Sequence, residues 1–145
     1  MPDDAGAHND LGYLLADQGK DLSEAEKLIR RAIELDRQQK HQETDAGPDD
    51  GQENAAFVDS LGWVLFRQGH VQEALHELLR ATTLPEGDDP VIWDHLGDVY
   101  LRQGESAKAR DSWSKAISLY EKEKRRKLDD QYKELKHKLK QLENP

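Results

Sequence analysis

The chain has 145 residues, of which 35% are hydrophobic and 35% are charged, and its formal net charge is −9. This length accommodates one domain, and the low hydrophobic content fits a thin helical array with a large surface relative to its core. No apolar run approaches the roughly 18 residues that a membrane-spanning helix requires, so we expect no membrane span. The absence of cysteine excludes disulfides, thiolate nucleophiles and cysteine metal sites.

Charge is unevenly distributed along the chain. Residues 121–143 hold nine Lys or Arg and six Asp or Glu, a net of +3, which leaves −12 on the rest. Because binding of phosphate groups requires a basic face, the acidic body predicts that nucleic acid is not the partner.

Residues 1–4 show no signal-peptide pattern. We therefore expect a soluble protein, in the cytoplasm or, if the chain is a fragment of an exported protein, in the periplasm.

One element, Leu-Gly followed by Gln-Gly, occurs three times in the chain. Its copies begin at Asn9, Asp59 and Asp94, with Leu-Gly at their third and fourth positions and Gln-Gly at their tenth and eleventh. Apolar residues recur at helical spacing through each copy, and the final Gly is typical of a helix end. A second amphipathic stretch follows each copy. The sequence therefore predicts three helical hairpins.

The segment between the first two hairpins has a different composition. Residues 38–54 contain a single small apolar residue together with Gly-Pro and Asp-Gly turn signals. Such a segment buries too little surface to offset the entropy lost on ordering, so we predict a mobile polar loop. A tolerated surface insertion is the simpler interpretation, and a functional insertion is the alternative.

The last part of the chain, residues 121–143, follows another pattern. Its apolar residues have a 4-3-4-3 spacing, which is a heptad seam: Leu128, Tyr132, Leu135, Leu139 and Leu142. We expect a long or gently broken helix here. It covers the apolar face of the last hairpin or makes a coiled-coil contact with a second copy, and the cap is favoured because only two heptads are present.

The three copies resemble the tetratricopeptide repeat (TPR) family, whose pattern is W-x2-L-G-x2-Y followed by G, A, an aromatic residue, A and P. The third copy matches this pattern best, with Trp93, Leu96, Gly97, Tyr100, Gly104, Ala109, Trp113 and Ala116. The resemblance covers roughly residues 5–120, and the wording D-S-L-G-W-V-L is similar to that of bacterial members.

The resemblance implies an all-α fold, a right-handed α-solenoid of three helix-turn-helix hairpins with a long C-terminal capping helix. We expect a single domain over residues 1–145. Its parts are repeat one at 5–37, the loop at 38–54, repeat two at 55–85, repeat three at 89–120 and the capping or coiled-coil helix at 121–143.

In TPR proteins, ligands bind in a concave groove lined by the first helix of each repeat. The resemblance implies that the groove-facing residues here are Asn9, Tyr13, Ala16, Asp17, Asp59, Trp63, Phe66, Arg67, Asp94, Asp98, Leu101 and Arg102. Trp63 stands where the repeat pattern requires no aromatic residue, so we expect it to contact a partner. The alternative is that Trp63 packs under the loop or under the C-terminal helix.

The chemistry of these positions indicates the class of partner. Asp59, Asp94 and Asp98 predict a protein or peptide with apolar anchors and basic side chains. The basic segment 122–142 has this chemistry itself and could occupy the groove, in the same chain or in a neighbouring one. The alternative function is self-association as a homodimer through the C-terminal helix, or a structural role in a larger TPR protein.

Catalytic motifs are missing from the sequence. It contains no H-E-x-x-H metal motif, no glycine-rich phosphate loop and no nucleophile elbow. We therefore expect a binding protein that is not an enzyme and that holds no cofactor and no metal.

Overall fold

The described part of the chain is helical. The computed structural model describes residues 4–43, 53–123 and 130–143. Within these ranges there are seven helices and no strand, namely α1 Ala5–Gln18, α2 Leu22–Glu43, α3 Ala55–Arg67, α4 Val71–Thr82, α5 Pro90–Arg102, α6 Ser106–Lys122 and α7 Asp130–Glu143. The all-α prediction is confirmed. None of these helices combines the length and the apolar character that crossing a membrane would require.

Helices that are consecutive in sequence pack as hairpins, α1 with α2, α3 with α4 and α5 with α6. Side-chain oxygens of Asp4, Asn54 and Asp89 accept hydrogen bonds from backbone N–H groups in the first turns of α1, α3 and α5. The Gly of each Gln-Gly pair has a positive φ, 69° at Gly19, 89° at Gly69 and 80° at Gly104. Glycine adopts this left-handed conformation without steric cost, so each pair ends a first helix, as predicted.

The Leu-Gly pairs let the two helices of a hairpin approach closely. A Cβ atom on Gly97 would lie 2.1 Å from Nε1 of Trp113, and one on Gly62 would lie 2.6 Å from Cγ of Leu78. Both distances are too short for non-bonded atoms, so only glycine fits at these crossings. The repeat pattern thus marks helix-packing positions.

The chain divides into two compact units. Unit 1 comprises Met1–Gly87 and contains α1 to α4, and unit 2 comprises Asp88–Pro145 and contains α5 to α7. Within unit 1, α3 also packs against α1 and α2, and within unit 2, α7 packs against α6. The prediction of a single domain over residues 1–145 stays a prediction.

Helix α2 is longer than the sequence predicts. It continues to Glu43, whereas repeat one is predicted to end at residue 37 and the loop to begin at residue 38. Side-chain pairs one turn apart stabilise the extra turn, including Asp36 with Lys40 at 3.0 Å. The low apolar content that predicts a loop does not prevent a helix that is extended from a packed one. Residues 44–52 of the predicted loop lie outside the described residues.

Helix α1 has an exposed apolar face. Leu11 and Leu14 recur at helical spacing, yet they are 49% and 52% exposed. The buried residues of α1 are on its other side and include Gly12 and Ala16. The core of unit 1 instead gathers around α2, α3 and α4, with Ile29, Val58, Val64 and Leu78 among its fully buried residues.

Helices α6 and α7 form an antiparallel pair in unit 2. Near one end, the Tyr120 hydroxyl lies 2.9 Å from Oε1 of Gln131. Leu135 is fully buried in one cluster with Trp113 and Tyr120, and Tyr132 packs against the edge of that cluster. Of the five heptad residues, four belong to the described part of the chain and Leu128 lies outside it. The C-terminal helix packs against α6 of its own chain. The capping role, favoured over a coiled-coil contact with a second copy, stays a prediction.

Candidate functional site

In unit 1, Trp63 joins α3 to α1. Its indole N–H donates to Oδ1 of Asp17 at 3.2 Å, and only 7% of the residue is exposed. The sequence predicts Asp17 and Trp63 at equivalent faces of adjacent first helices, and the structure brings them together. An indole buried to this extent presents little surface to a partner. The predicted partner contact of Trp63 therefore stays a prediction, and the observed contact is within the chain.

Two neighbours complete this cluster on α3. The rings of Phe66 and Trp63 stack with centroids 5.4 Å apart, and the Arg67 guanidinium lies 5.9 Å from the Trp63 ring centroid. Nε of Arg67 also donates to the carbonyl oxygen of Ala16 at 3.1 Å. Phe66 is half-buried and Arg67 is exposed. On α3, these two residues are the members of the predicted site that solvent reaches.

The other predicted residues of unit 1 differ in accessibility. Asn9 and Asp59 are buried, Tyr13 is half-buried and Asp17 is exposed. Oδ1 of Asn9 has no hydrogen-bond partner among the described residues. A ligand in this unit would therefore meet Tyr13, Asp17 and the α3 side chains before it met Asn9.

In unit 2, a cation lies between the two predicted carboxylates. Nζ of Lys138, on α7, is 2.7 Å from Oδ1 of Asp94 and 2.7 Å from Oδ1 of Asp98. Asp94 and Asp98 are one turn apart on α5, which places both carboxylates on one face of that helix. Farther along α5, Leu101 is 44% exposed and Arg102 is exposed. Of the four predicted residues in this unit, the structure thus brings two into a common site.

The electrostatics of this site follow from one cation shared by two carboxylates. Burial, together with the charge of Asp98, raises the pKa of Asp94 above its usual value, although Lys138 opposes the shift. Burial alone would lower the pKa of Lys138, but the two carboxylates outweigh it and raise that pKa. The charged form of Lys138 is therefore favoured, and the group of two carboxylates and one ammonium has an excess of negative charge.

Lys138 is the residue of this candidate site that residue-by-residue sequence reasoning missed. The sequence indicates that segment 122–142 suits the acidic face, but the predicted site contains no residue of that segment. Lys138 lies three residues after Leu135, so the two side chains lie on one side of α7. That spacing, read against Asp94 and Asp98, is the signal that could have identified it.

A separate polar cluster in unit 1 involves Arg37 of α2, Glu53 just before α3 and Arg80 of α4. The carboxylate of Glu53 accepts hydrogen bonds from both Arg37 and Arg80. Burial would raise the pKa of Glu53, but the hydrogen bonds from Arg80 and Arg37 prevail and lower it. An open cavity of about 200 Å³ adjoins the cluster and is lined by Arg30, Ile33, Glu34, Arg37, Glu53, Leu61, Glu77 and Arg80. The repeat pattern contains no signal for this cluster, because Glu53 belongs to the predicted loop.

Comparison with known proteins identifies the family. The profile of the tetratricopeptide repeat-like domain matches residues 15–144, so the match includes α7, beyond the predicted range of resemblance. A TPR repeat-containing protein of Pseudomonas aeruginosa is 38% identical over 97 residues, which are 67% of this chain and 14% of that protein. The chain thus spans a small part of the length of that bacterial relative.

Solved structures share the fold. The type III secretion translocator chaperone SycD of Yersinia enterocolitica superposes with a TM-score of 0.70 at 16% identity, over 99% of this chain and 86% of that one. PcrH in complex with the chaperone binding region of PopB gives a TM-score of 0.63 at 15% identity, over 95% and 93%. At these identities the likeness concerns the fold alone. Because the family profile extends over residues 15–144, this protein belongs to the tetratricopeptide repeat-like family.

Proposed function

We propose that this protein is a protein-binding TPR module that takes a helix or peptide with apolar and basic side chains. The observation that carries the proposal is the ion-pair site of unit 2, in which Asp94 and Asp98 hold Lys138 of a basic amphipathic helix. Both carboxylates stand at positions that face the ligand groove in TPR proteins. A surface that holds such a helix within its own chain has the chemistry to hold one from another protein.

The structural likeness agrees with this class of function. PcrH, which shares the fold, was solved with the chaperone binding region of another protein, PopB. The sequence contains no catalytic motif, so the proposed role is binding without catalysis. In unit 1, we propose that Tyr13, Phe66 and Arg67 add contacts to the same or a second ligand.

Self-association through the C-terminal helix has less support. Its seam residue Leu135 is fully buried against α6 of the same chain, and Tyr132 and Leu142 pack against the same cluster. A coiled coil with a second copy would first have to remove these side chains from that cluster.

The experiment is a selection of displayed helical peptides on the full chain, followed by affinity measurements on the enriched sequences. We expect enrichment of a Lys or Arg next to apolar residues. Replacing both carboxylates (Asp94→Asn with Asp98→Asn) should reduce roughly tenfold or more the preference for an enriched peptide over the same peptide with its cation replaced by Met, because each charge-assisted hydrogen bond contributes about 1.5–3 kcal/mol.

The matched control is Asp111→Asn, which removes the same charge from an exposed position on α6. It should leave the affinity unchanged. Enriched peptides without a cation, or an equal preference for the cationic peptide in the double variant and the control, would contradict the proposed function.

A further inference from the structure

We propose that α7 is an intramolecular ligand that competes with the partner for the α5–α6 surface, so that partner binding requires displacement of α7 by a helix bearing the same apolar and cationic anchors. This inference rests on the proposed function and adds to it the regulation of the site and the pattern of its ligand.

The first step of the argument is that the surface requires a cation. The side chains of Asp94 and Asp98 are 14% and 24% exposed, and they lie one turn apart. Two carboxylates in a partly desolvated site repel each other unless a positive charge lies between them. Any occupant must therefore place a Lys or Arg where Nζ of Lys138 now lies. Two occupants cannot share that position, so α7 and the partner exclude each other.

The second step concerns the apolar anchor. Leu135 is fully buried against Trp113, Tyr120 and Ala116 of α6, and Lys138 lies one turn farther along the same side of α7. Nζ of Lys138 is also 5.0 Å from the centroid of the Trp113 ring, within the range of a cation–π contact. The surface thus recognises an apolar residue that is followed three positions later, in the same helix, by a cation. This is the ligand pattern that the structure assigns.

The third step is that α7 is held less extensively than the helix it covers. Among the described residues, Leu135 is the one buried residue of α7, whereas six residues of α6 are buried. The remaining contacts of α7 include Tyr132 with Glu121 at the exposed edge. Helices with few buried contacts undock at lower free-energy cost than the rest of a fold. A partner binds only to chains in which α7 is undocked. Its apparent affinity is therefore the intrinsic affinity multiplied by the undocked fraction.

The experiment uses the full chain and a labelled synthetic peptide with the sequence of α7, Asp130–Glu143. In the chain itself, Lys138→Glu places a third carboxylate beside Asp94 and Asp98 and should release α7. Fluorescence anisotropy should then show peptide binding at least about tenfold tighter than to the unmodified chain. Hydrogen exchange should show faster exchange of the α7 amides in the variant.

The matched control is Lys133→Glu, which makes the same charge change at an exposed position of α7. It should behave like the unmodified chain in both measurements. A peptide that itself carries Lys138→Glu should not bind the released surface. If Lys138→Glu is poorly folded by circular dichroism, Lys138→Met removes the cation without adding a carboxylate and serves in its place.

Two results would overturn the inference, and they differ in what they say of the proposed function. Equal peptide affinity for the unmodified chain and the Lys138→Glu variant would show that α7 does not compete, while the surface still binds a helix. Released α7 without any peptide binding would show that the surface takes no helix from outside, which contradicts the proposed function as well.

Discussion

The two units use equivalent faces of their TPR first helices for different contacts. In unit 1, Trp63 and Arg67 on α3 bind α1, through Asp17 and the carbonyl of Ala16. In unit 2, Asp94 and Asp98 on α5 bind α7 through Lys138. An aromatic and hydrogen-bonded contact in one unit thus corresponds to an ion-pair contact in the other.

The comparison shows that the predicted groove positions make different kinds of contact in this chain. Where a neighbouring helix of the same chain lies beside it, the position makes an internal contact. The exposed remainder, such as Leu101 in unit 2, is then what the proposed partner would meet first. The internal contacts of the two units differ in burial, since Trp63 is itself buried, whereas Lys138 pairs with carboxylates that solvent partly reaches.

The largest expected effect comes from removing the Trp63 indole, which makes the internal contact of unit 1. Trp63→Ala should lower the free energy of unfolding by about 3–5 kcal/mol, because it truncates a large side chain that is only 7% exposed. Trp63→Phe keeps a ring and loses the hydrogen bond to Asp17, so it should cost about 1 kcal/mol. Urea unfolding measures both. A loss below 1 kcal/mol for Trp63→Ala, together with lost peptide binding, would make Trp63 a partner contact after all.

A somewhat smaller effect should follow from the apolar anchor of unit 2. Leu135→Ala should cost about 2–5 kcal/mol in the docking of α7, because a fully buried side chain is truncated. Leu139→Ala, at a half-buried position of the same helix, is the matched control and should cost less. Hydrogen exchange of the α7 amides measures the docking. Equal acceleration by both variants would show that α7 is not anchored at Leu135.

The smallest expected effect is the change of folding stability at acidic pH. It should have opposite signs for Glu53 and for Asp94. The pKa of Glu53 is lowered from 4.5 in the folded state by its hydrogen bonds from Arg80 and Arg37, against the effect of burial. Its contribution to stability is therefore present above pH 4.5 and is lost as pH falls through the folded-state pKa. Burial raises the pKa of Asp94 above 3.8, so acidification through that pKa favours the folded state.

Urea midpoints between about pH 3.5 and pH 6 test this difference. The stability advantage of the unmodified chain over Glu53→Gln should shrink as pH falls. Relative to Asp94→Asn, the stability of the unmodified chain should rise over the same range. If both stability differences change in the same direction as pH falls, Glu53 and Asp94 are not in the opposite environments described above.

Most of the fold could be predicted from the sequence, because the repeat pattern encodes local packing. Gly97 and Trp113 are 16 residues apart in sequence, and the repeat spacing alone places them at one helix crossing. The helical conformation of residues 38–43 could not be predicted, because these residues are polar and continue a packed helix. Contacts one turn apart, such as Asp36 with Lys40, stabilise it, and they carry no hydrophobic signal.

Less of the candidate site could be predicted, because its contacts join distant parts of the chain. The repeat offsets place Asp94 and Asp98 on one face, and their charge predicts a basic ligand. That Lys138 pairs with them depends on how α7 folds back over α6, across 44 and 40 residues of sequence. The hydrogen bond of Trp63 similarly depends on Asp17, which is 46 residues away. A repeat offset specifies which way a side chain faces and leaves open what covers it.

The position of Trp113 gives the chain a built-in optical reporter. Its indole is buried, donates to the carbonyl oxygen of Asp94 at 3.2 Å and has the Lys138 ammonium 5.0 Å from its ring centroid. Indole emission responds to nearby charge and to water. The chain has three tryptophans, so replacing Trp63 and Trp93 by Phe would leave Trp113 as the single emitter. Its spectrum would then follow the docking of α7 in real time, without any attached dye.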